Sequence, residues 1–405
     1  MEAAARRAAE RDGSPEGEAL DIGTLSAGDL AADHLMASLA AQVRFLLEVT
    51  PVNADQVRTT FLGNPEKDPA FEYRKLAVHP DVLEAQLAAV PLENVEDATV
   101  GTLLRERLRE MELRLEMLRA RDTPDFLPLS IEQYGGVFPR LRAVARDLLE
   151  RLPSGQLDAE RVDAREFLEH ATAEIDYYRG LDPDVGIHAE IRDDVTGVLV
   201  DGDTLIISGG AAIARSRVHA LLQHEVGTHL VTQVNGSSQP LRMLGSGLAR
   251  YDETQEGLAV LAEIGSGGFT AARLRQLAAR VLAVDALIHG AGFVEVYRLM
   301  CENGMPAGGA YTTTMRVFRA GGFTKDASYL RGLLNLFDHV AKGGVLDLFF
   351  LGKFSVEDLP LVADLTKRRL LRPARILPRW LSDPQAASRI AHAVTTDDLL
   401  QLVES

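Results

Sequence analysis

His224-Glu225-Val226-Gly227-Thr228-His229 sets two imidazoles and a carboxylate within six residues. A zinc hydrolase needs those groups: neutral imidazoles hold the ion, and a nearby carboxylate takes a proton from the attacking water. The common form of the motif is HExxH, with histidines at i and i+4 on one helix face. Here the second histidine stands at i+5. On a regular α-helix that spacing leaves the two side chains about 140° apart, too wide for one ion. A π-turn, with roughly 4.4 residues per turn, narrows the gap to about 50°. Gly227 lies between the histidines, and glycine, which costs about 1 kcal/mol in a helix interior, permits such a distortion. The spacing therefore predicts a π-bulge or a break around residues 226–228.

The flanks supply the helix. Val218, Leu221, Leu222, Leu230 and Val231 form one apolar face within an amphipathic run from Ala212 to Val234. Glu225 follows His224 directly, so its side chain points about 100° around the helix from that ligand. The offset lets the carboxylate reach the water without binding the ion, which makes Glu225 the candidate general base. A third protein ligand is still needed. A second helix is expected from near Tyr251 to Ile264, with Asp252 as N-cap and Gln255 completing a capping box. Glu256 lies on it, 27 residues after His229, and Glu253 and Glu263 compete with it. Spacing alone leaves the three open.

Upstream, Ile187–Ile191 alternates like a strand, and 197–200, Asp201-Gly202-Asp203 and 204–208 read as a hairpin closed by Gly209-Gly210. Before that the chain is helical over 31–49, 98–121, 141–152 and 159–178. After the second motif helix, 271–291, 294–303 and 330–340 continue the helical pattern. The stretch 366–380 is locally basic, with Lys367, Arg368, Arg369, Arg372, Arg375 and Arg379, and reads as a solvated helix face. No Pro/Gly/Ser-rich linker divides the chain. The expected organisation is a disordered tail over 1–20, a helical wall over 21–180 and a catalytic region over 181–405, the last two packed as one unit.

Composition narrows the function classes. The chain has 405 residues, 46% hydrophobic and 25% charged, as soluble globular proteins do. A net charge of −16 argues against nucleic-acid binding. The single cysteine, Cys301, rules out internal disulfides and a cysteine-built zinc site, and fits a cytoplasmic setting. No run of about 18 apolar residues is present to span a membrane.

His224-Glu225-Val226-Gly227-Thr228-His229 followed by Gln255-Glu256-Gly257-Leu258-Ala259 resembles the microtubule-associated tyrosine carboxypeptidase family and its bacterial relatives that carry the QEGLA motif. Thr50-Pro51-Val52-Asn53, Tyr329-Leu330-Arg331-Gly332-Leu333 and Leu351-Gly352-Lys353 are similar too, so the likeness runs over about residues 30–380. Where the family pattern reads Arg-Gly-Gly, this chain has Arg319-Ala320-Gly321-Gly322. The resemblance implies one zinc ion held by His224, His229 and Glu256, with Glu225 as base and then acid. It also implies a peptidase that removes a C-terminal residue, tyrosine or another aromatic, from a peptide or protein.

That chemistry asks for two further groups. An oxyanion donor is expected among Tyr329, Arg331 and Tyr251. A cation for the substrate's terminal carboxylate is expected among Arg319, Arg331 and Lys353. Tyr329 and Arg331 are thus candidate catalytic groups, and Arg319, Lys353 and Tyr251 candidate substrate-binding groups. The expected fold is α+β and mostly α, a gluzincin-like helical zinc metallopeptidase with a small sheet beside the active-site helix. Two other classes share the motif. A zinc-dependent amidase would act on a small molecule or modified peptide, and a non-catalytic binding protein would keep the metal as a structural element.

Overall fold

Helix caps set the frame of the N-terminal half. The structure, a computed structural model, describes residues 23–154, 160–396 and 398–403, so the tail expected over 1–20 lies outside the described residues. Ser26 and Asp29 form a capping box that opens α1 (Ala27–Ala40). Asp97 accepts from the Thr99 and Val100 amides and starts α2 (Ala98–Arg119). Pro139 occupies the first turn of α3 (Pro139–Arg151). Asp163 caps α4 (Ala164–Leu181).

Three helix expectations shift here. The run expected over 31–49 starts earlier, at the Ser26 cap. It also ends at Ala40, where Gln42 and Val43 donate to Leu39 and Ala40 in a tightened turn. Phe45 and Leu47, on the short helix Phe45–Glu48, then turn into the core. Ahead of α4, Arg161–Asp163 is not helical but a strand, β1. It pairs antiparallel with β5 (Ala212–Ala214), Val162 facing Ile213. The run from Ala212 to Val234 is therefore a strand, a 3-10 turn at Arg215–Arg217 and only then a helix from Val218.

The hairpin forms as expected: β3 (Val198–Asp201) and β4 (Thr204–Ser208) are antiparallel, with Gly202 at φ 61 in the two-residue turn. β2 (His188–Arg192) lies parallel to β4 on its other side, giving the order β2-β4-β3. Leu205 and Ile207 of the central strand join Ile175 and Tyr178 of α4 and Val226, Leu230 and Val231 of the motif helix in one apolar cluster. The small sheet and α4 thus form the bed on which the motif helix rests.

That helix consists of α5 (Val218–His224), a π-turn (Glu225–Leu230) and α6 (Val231–Ser237). Beside it run α7 (Tyr251–Gly265) and α8 (Ala271–Ile288). α9 (Phe293–Glu302), α10 (Ala307–Phe318) and α11 (Ser328–Ala341) follow. The main apolar core draws on residues from Leu25 to Leu402, including Met36, Leu104, Leu258, Leu333 and Trp380. α7 and α11 cross at contact distance, because a Cβ on Gly257 would lie 2.3 Å from the Gly332 carbonyl carbon.

The start of α7 corrects the capping box. The chain enters the helix through Arg250 in a left-handed conformation (φ 58), so Asp252 already lies inside the first turn and is not the cap. Glu256 accordingly falls in the second turn. The basic stretch 366–380 also departs from a helix, since α12 (Leu359–Lys367) stops at its beginning. Three of its five arginines are struts: Arg368 pairs with Asp97, Arg375 with Asp182 and Arg379 with Glu174. No helix among the described residues is long and apolar enough to cross a membrane.

Candidate metal centre

The π-turn does what the extra residue between the histidines requires. It brings the His224 and His229 rings to 5.1 Å between centroids, nearly perpendicular at 84°. Val226 and Leu230 stay buried against the sheet while the imidazoles turn the other way. Two threonines tie the wider turn. Thr228 Oγ1 donates to the Gln223 carbonyl at 3.0 Å, and Thr232 Oγ1 donates to the Thr228 carbonyl at 2.8 Å. Gly227 contributes space, since a Cβ there would approach the Gln223 side-chain oxygen to 2.8 Å.

Each imidazole is oriented through its Nδ1. His224 Nδ1 lies 2.8 Å from Glu263 Oε1, and His229 Nδ1 lies 3.4 Å from Gln255 Oε1, which also accepts from Thr232 at 2.9 Å. In the neutral rings that would bind an ion, an Nδ1 proton donated outward leaves each Nε2 lone pair free. Both Nε2 atoms face one oxygen, Glu256 Oε2, at 3.7 Å from His224 and 3.8 Å from His229. The other Glu256 oxygen is held by the Lys325 ammonium. Glu225 Oε1 comes to 4.0 Å of His224 Nε2, and His224, Glu225 and His229 present atoms within 4.8 Å of one another. Glu225 therefore stands beside the cluster, and Glu256 lies nearer to both imidazoles.

The electrostatics follow from burial and crowding. Burial works against charge on His224, but the Glu256 and Glu263 carboxylates outweigh it and push its pKa up to about 9. Burial raises the Glu225 carboxyl, and the two histidines only partly offset this. Glu256 and Glu263 resist the same burial effect. Lys325 holds the first well below the usual carboxylate range, and Arg273 with Arg217 holds the second.

These residues fit a divalent metal ion. Ligand atoms about 2.0–2.2 Å from a tetrahedral ion stand roughly 3.4 Å apart, close to the Nε2–Oε2 separations here. Glu256 Oε2 is buried with no hydrogen-bond partner among the described residues, an orphan that a bound cation would satisfy. Two neutral nitrogens and a carboxylate oxygen are also a zinc-type donor set.

The rival glutamates separate cleanly. Glu253 faces α11, bonded to Arg331 and Asn335, and Glu263 supports His224 from behind. Of the other expected residues, Tyr329 reaches the centre, its ring stacked on His224 at 6.3 Å and 16°. Arg331 does not: its donors are committed to Glu253 and to the Gly136 and Tyr134 carbonyls. Arg319 is buried, bonded to Thr50 Oγ1 at 3.3 Å and lying over Phe323. Tyr251 packs under Arg107 and Arg114 at the start of α7. The Lys353 ammonium is half-buried with no hydrogen bond or ion pair among the described residues, and burial pushes its pKa down to about 8.

Sequence reasoning passed over Lys325, Arg273 and the supporting role of Gln255. One signal was available. Glu263 stands seven residues after Glu256, two turns along the same helix face, where a support for the same cluster would sit.

Two oriented imidazoles, an orphaned carboxylate oxygen between them and a second carboxylate alongside make a donor set that a divalent metal ion would fit. The sequence model of the microtubule-associated tyrosine carboxypeptidase family matches residues 60–397, and the chain belongs to that family. The matched span contains every residue of the centre. No curated protein matches the chain.

Proposed function

We propose that this protein is a zinc-dependent carboxypeptidase that removes one C-terminal residue, tyrosine or another aromatic, from a peptide or protein. The observation that carries the reading is Glu256 Oε2, buried, without a hydrogen-bond partner among the described residues and facing both imidazole Nε2 atoms. Membership of a family named for tyrosine carboxypeptidase activity supports the reaction class.

His224, His229 and Glu256 would hold the ion. When bound, zinc lowers the pKa of a water molecule and polarises a carbonyl group. The remaining work belongs to the chain. Glu225, with its pKa raised by burial, takes the proton of the attacking water and delivers it to the leaving amine. Glu263 and Gln255 hold the imidazole tautomers. Lys325 fixes Glu256 by its other oxygen. The Tyr329 hydroxyl, 3.4 Å from Arg316 Nη2, is the oxyanion donor best placed by contact with His224.

Mass spectrometry of a peptide library with varied C-termini, run with the wild type and Glu225→Gln, tests this. The wild type is expected to remove one residue, aromatic ones fastest. Glu225→Gln is expected to be about 10²–10⁴-fold slower while keeping its metal. An uncut library with hydrolysis of a non-peptide amide would mean an amidase. Unchanged trimming by Glu225→Gln would reject the mechanism.

A further inference from the structure

A row of buried charges of alternating sign runs from α2 to the metal centre. Arg107 Nη1 lies 2.9 Å from Glu110 Oε1, and Arg114 Nη2 reaches the same oxygen at 2.6 Å. That Nη2 also donates to Asp252 Oδ2, at 2.6 Å, in the first turn of α7. Asp252 Oδ1 stands 3.7 Å from the Lys325 ammonium, which is bonded to Glu256 Oε1. The row thus ends on the carboxylate whose other oxygen faces both imidazoles. Every side chain in it is at most 12% exposed.

Buried ion pairs are poor sources of stability, since well-packed apolar side chains often serve as well or better. What this row fixes is position. Glu110 Oε2 accepts from the amide of Arg250, the left-handed residue through which the chain enters α7, at 2.5 Å. The Tyr251 ring packs against the Arg107 and Arg114 guanidiniums at 5.9 and 5.8 Å. α2 therefore holds the start of the helix that carries Glu256. Lys325 stands between two carboxylates, and Asp252 competes with Glu256 for it. Arg114 decides that contest, because its bond to Oδ2 cancels the charge of Asp252 and leaves the ammonium to Glu256. Lys353 feels Asp252 from further off and forms no ion pair among the described residues.

We infer that Arg114 is a positioning residue of the metal centre: by neutralising Asp252 it keeps Lys325 on Glu256, and so keeps Glu256 Oε2 turned to the imidazoles. The inference rests on the reading of Glu256 as a metal ligand, and it makes α2 part of that centre. Charge and position predict opposite signs for the loss of Arg114. Taking a cation away from the surroundings of a bound dication would tighten its binding by Coulomb's law. Taking the support from a ligating carboxylate weakens it, typically about 10–100-fold. Asp252 sharpens the contrast. With Arg114 gone, its uncancelled charge draws Lys325 away from Glu256. With Asp252 itself neutral, Lys325 has no second anion to choose, and Glu256 keeps its support whether Arg114 is present or not.

The test titrates the metal-free full chain with zinc against a chelator, and with cobalt(II), whose visible absorption reports its coordination. Arg114→Met is expected to bind zinc about 10–100-fold more weakly than the wild type and to shift the cobalt spectrum. Asp252→Asn, although it neighbours Lys325 directly, should stay within about threefold of the wild type. Arg114→Met combined with Asp252→Asn should also return to within about threefold, with the wild-type cobalt spectrum. A merely structural Arg114 predicts the reverse, a double variant worse than either single one. Circular-dichroism melting checks folding, and Arg114→Gln reads the same affinities should Arg114→Met not fold. Zinc binding that is unchanged or tighter without Arg114 overturns the inference, and so does a double variant that stays weak. A wild type that takes up no stoichiometric zinc rejects Glu256 as a ligand, whereas normal wild-type uptake with an unmoved Arg114 variant rejects only the positioning role.

Discussion

Replacing Glu263 by Gln separates ligand from support. Glu263 is fully buried on α7, with Oε1 2.8 Å from His224 Nδ1 and 2.9 Å from Arg273 Nη2, while Oε2 accepts from Arg217 and Arg273. Gln keeps the shape and one acceptor oxygen but discards the charge. Two partly buried guanidiniums then lose the carboxylate they share. Removing one partner of a buried pair costs about 3–5 kcal/mol. With total stability on the order of 5–15 kcal/mol, the variant still folds at room temperature. At about 2.1 cal/mol/K of unfolding entropy per residue, a chain of this length loses roughly 4–6 °C in Tm. His224 also loses its fixed orientation, and loss of such a support typically weakens metal binding about 10–100-fold. Zinc titration against a chromophoric chelator and circular-dichroism melting measure the two effects. Glu263→Gln should bind one zinc per chain, more weakly, whereas Glu256→Gln should lose stoichiometric zinc. If Glu256→Gln kept its metal and Glu263→Gln lost it, the assignment of ligand and support would be reversed.

Three other substitutions probe the scaffold. Thr228→Val removes the donor to the buried Gln223 carbonyl, which should cost about 1–3 kcal/mol and weaken zinc binding, with Thr228→Ser restoring both; unchanged zinc affinity would show that the π-turn holds without it. Gly257→Ala places a methyl group 2.3 Å from the Gly332 carbonyl carbon, so α7 and α11 must part at a cost of about 1–3 kcal/mol or more. An undiminished Tm would mean that the crossing is loose. Lys353→Met tests a pH dependence. Burial depresses the folded pKa from 10.5 to about 8, so the charged form opposes folding fully below pH 8, and the penalty disappears above 10.5. The variant should gain on the order of 1–3 kcal/mol over the wild type in denaturant unfolding at pH 7 and nothing at pH 10.5. A gain independent of pH would exclude titration of Lys353 as its cause.

What the sequence discloses about this site depends on how local the cause is. If His224 and His229 share one ion, their i+5 spacing calls for a π-bulge or a break, and a π-turn is there at Glu225–Leu230. The hairpin was equally readable, since Gly202 marks its turn. β1 and β5 were not, because three residues are too few to display a period, and Ala212–Ala214 merged with the amphipathic run after it. The misplaced start of α7 has a similar origin. Asp252 and Gln255 match a capping box, but the chain enters through a left-handed Arg250, and both side chains are spent on tertiary partners, Arg114 and Thr232. The choice among Glu253, Glu256 and Glu263 was beyond local pattern altogether. Their roles are set by Arg331, by the two imidazoles with Lys325, and by Arg217 with Arg273, and Lys325 lies 69 residues beyond Glu256.

The same partners show how a chain of net charge −16 places its cations. In the basic stretch after Lys367, Arg368, Arg375 and Arg379 are paired with Asp97, Asp182 and Glu174. Interior cations lie around Tyr329, and they adjoin the carboxylates of Glu225, Glu256 and Glu263 around the imidazoles, of which Glu256 is paired with Lys325 and Glu263 with Arg217 and Arg273. Such pairing is needed in a buried setting, because charges removed from water must find partners. Lys325 and Arg273 belong to both groups, bonded to Glu256 and Glu263 while lying against Tyr329, so they fix the distance between the two.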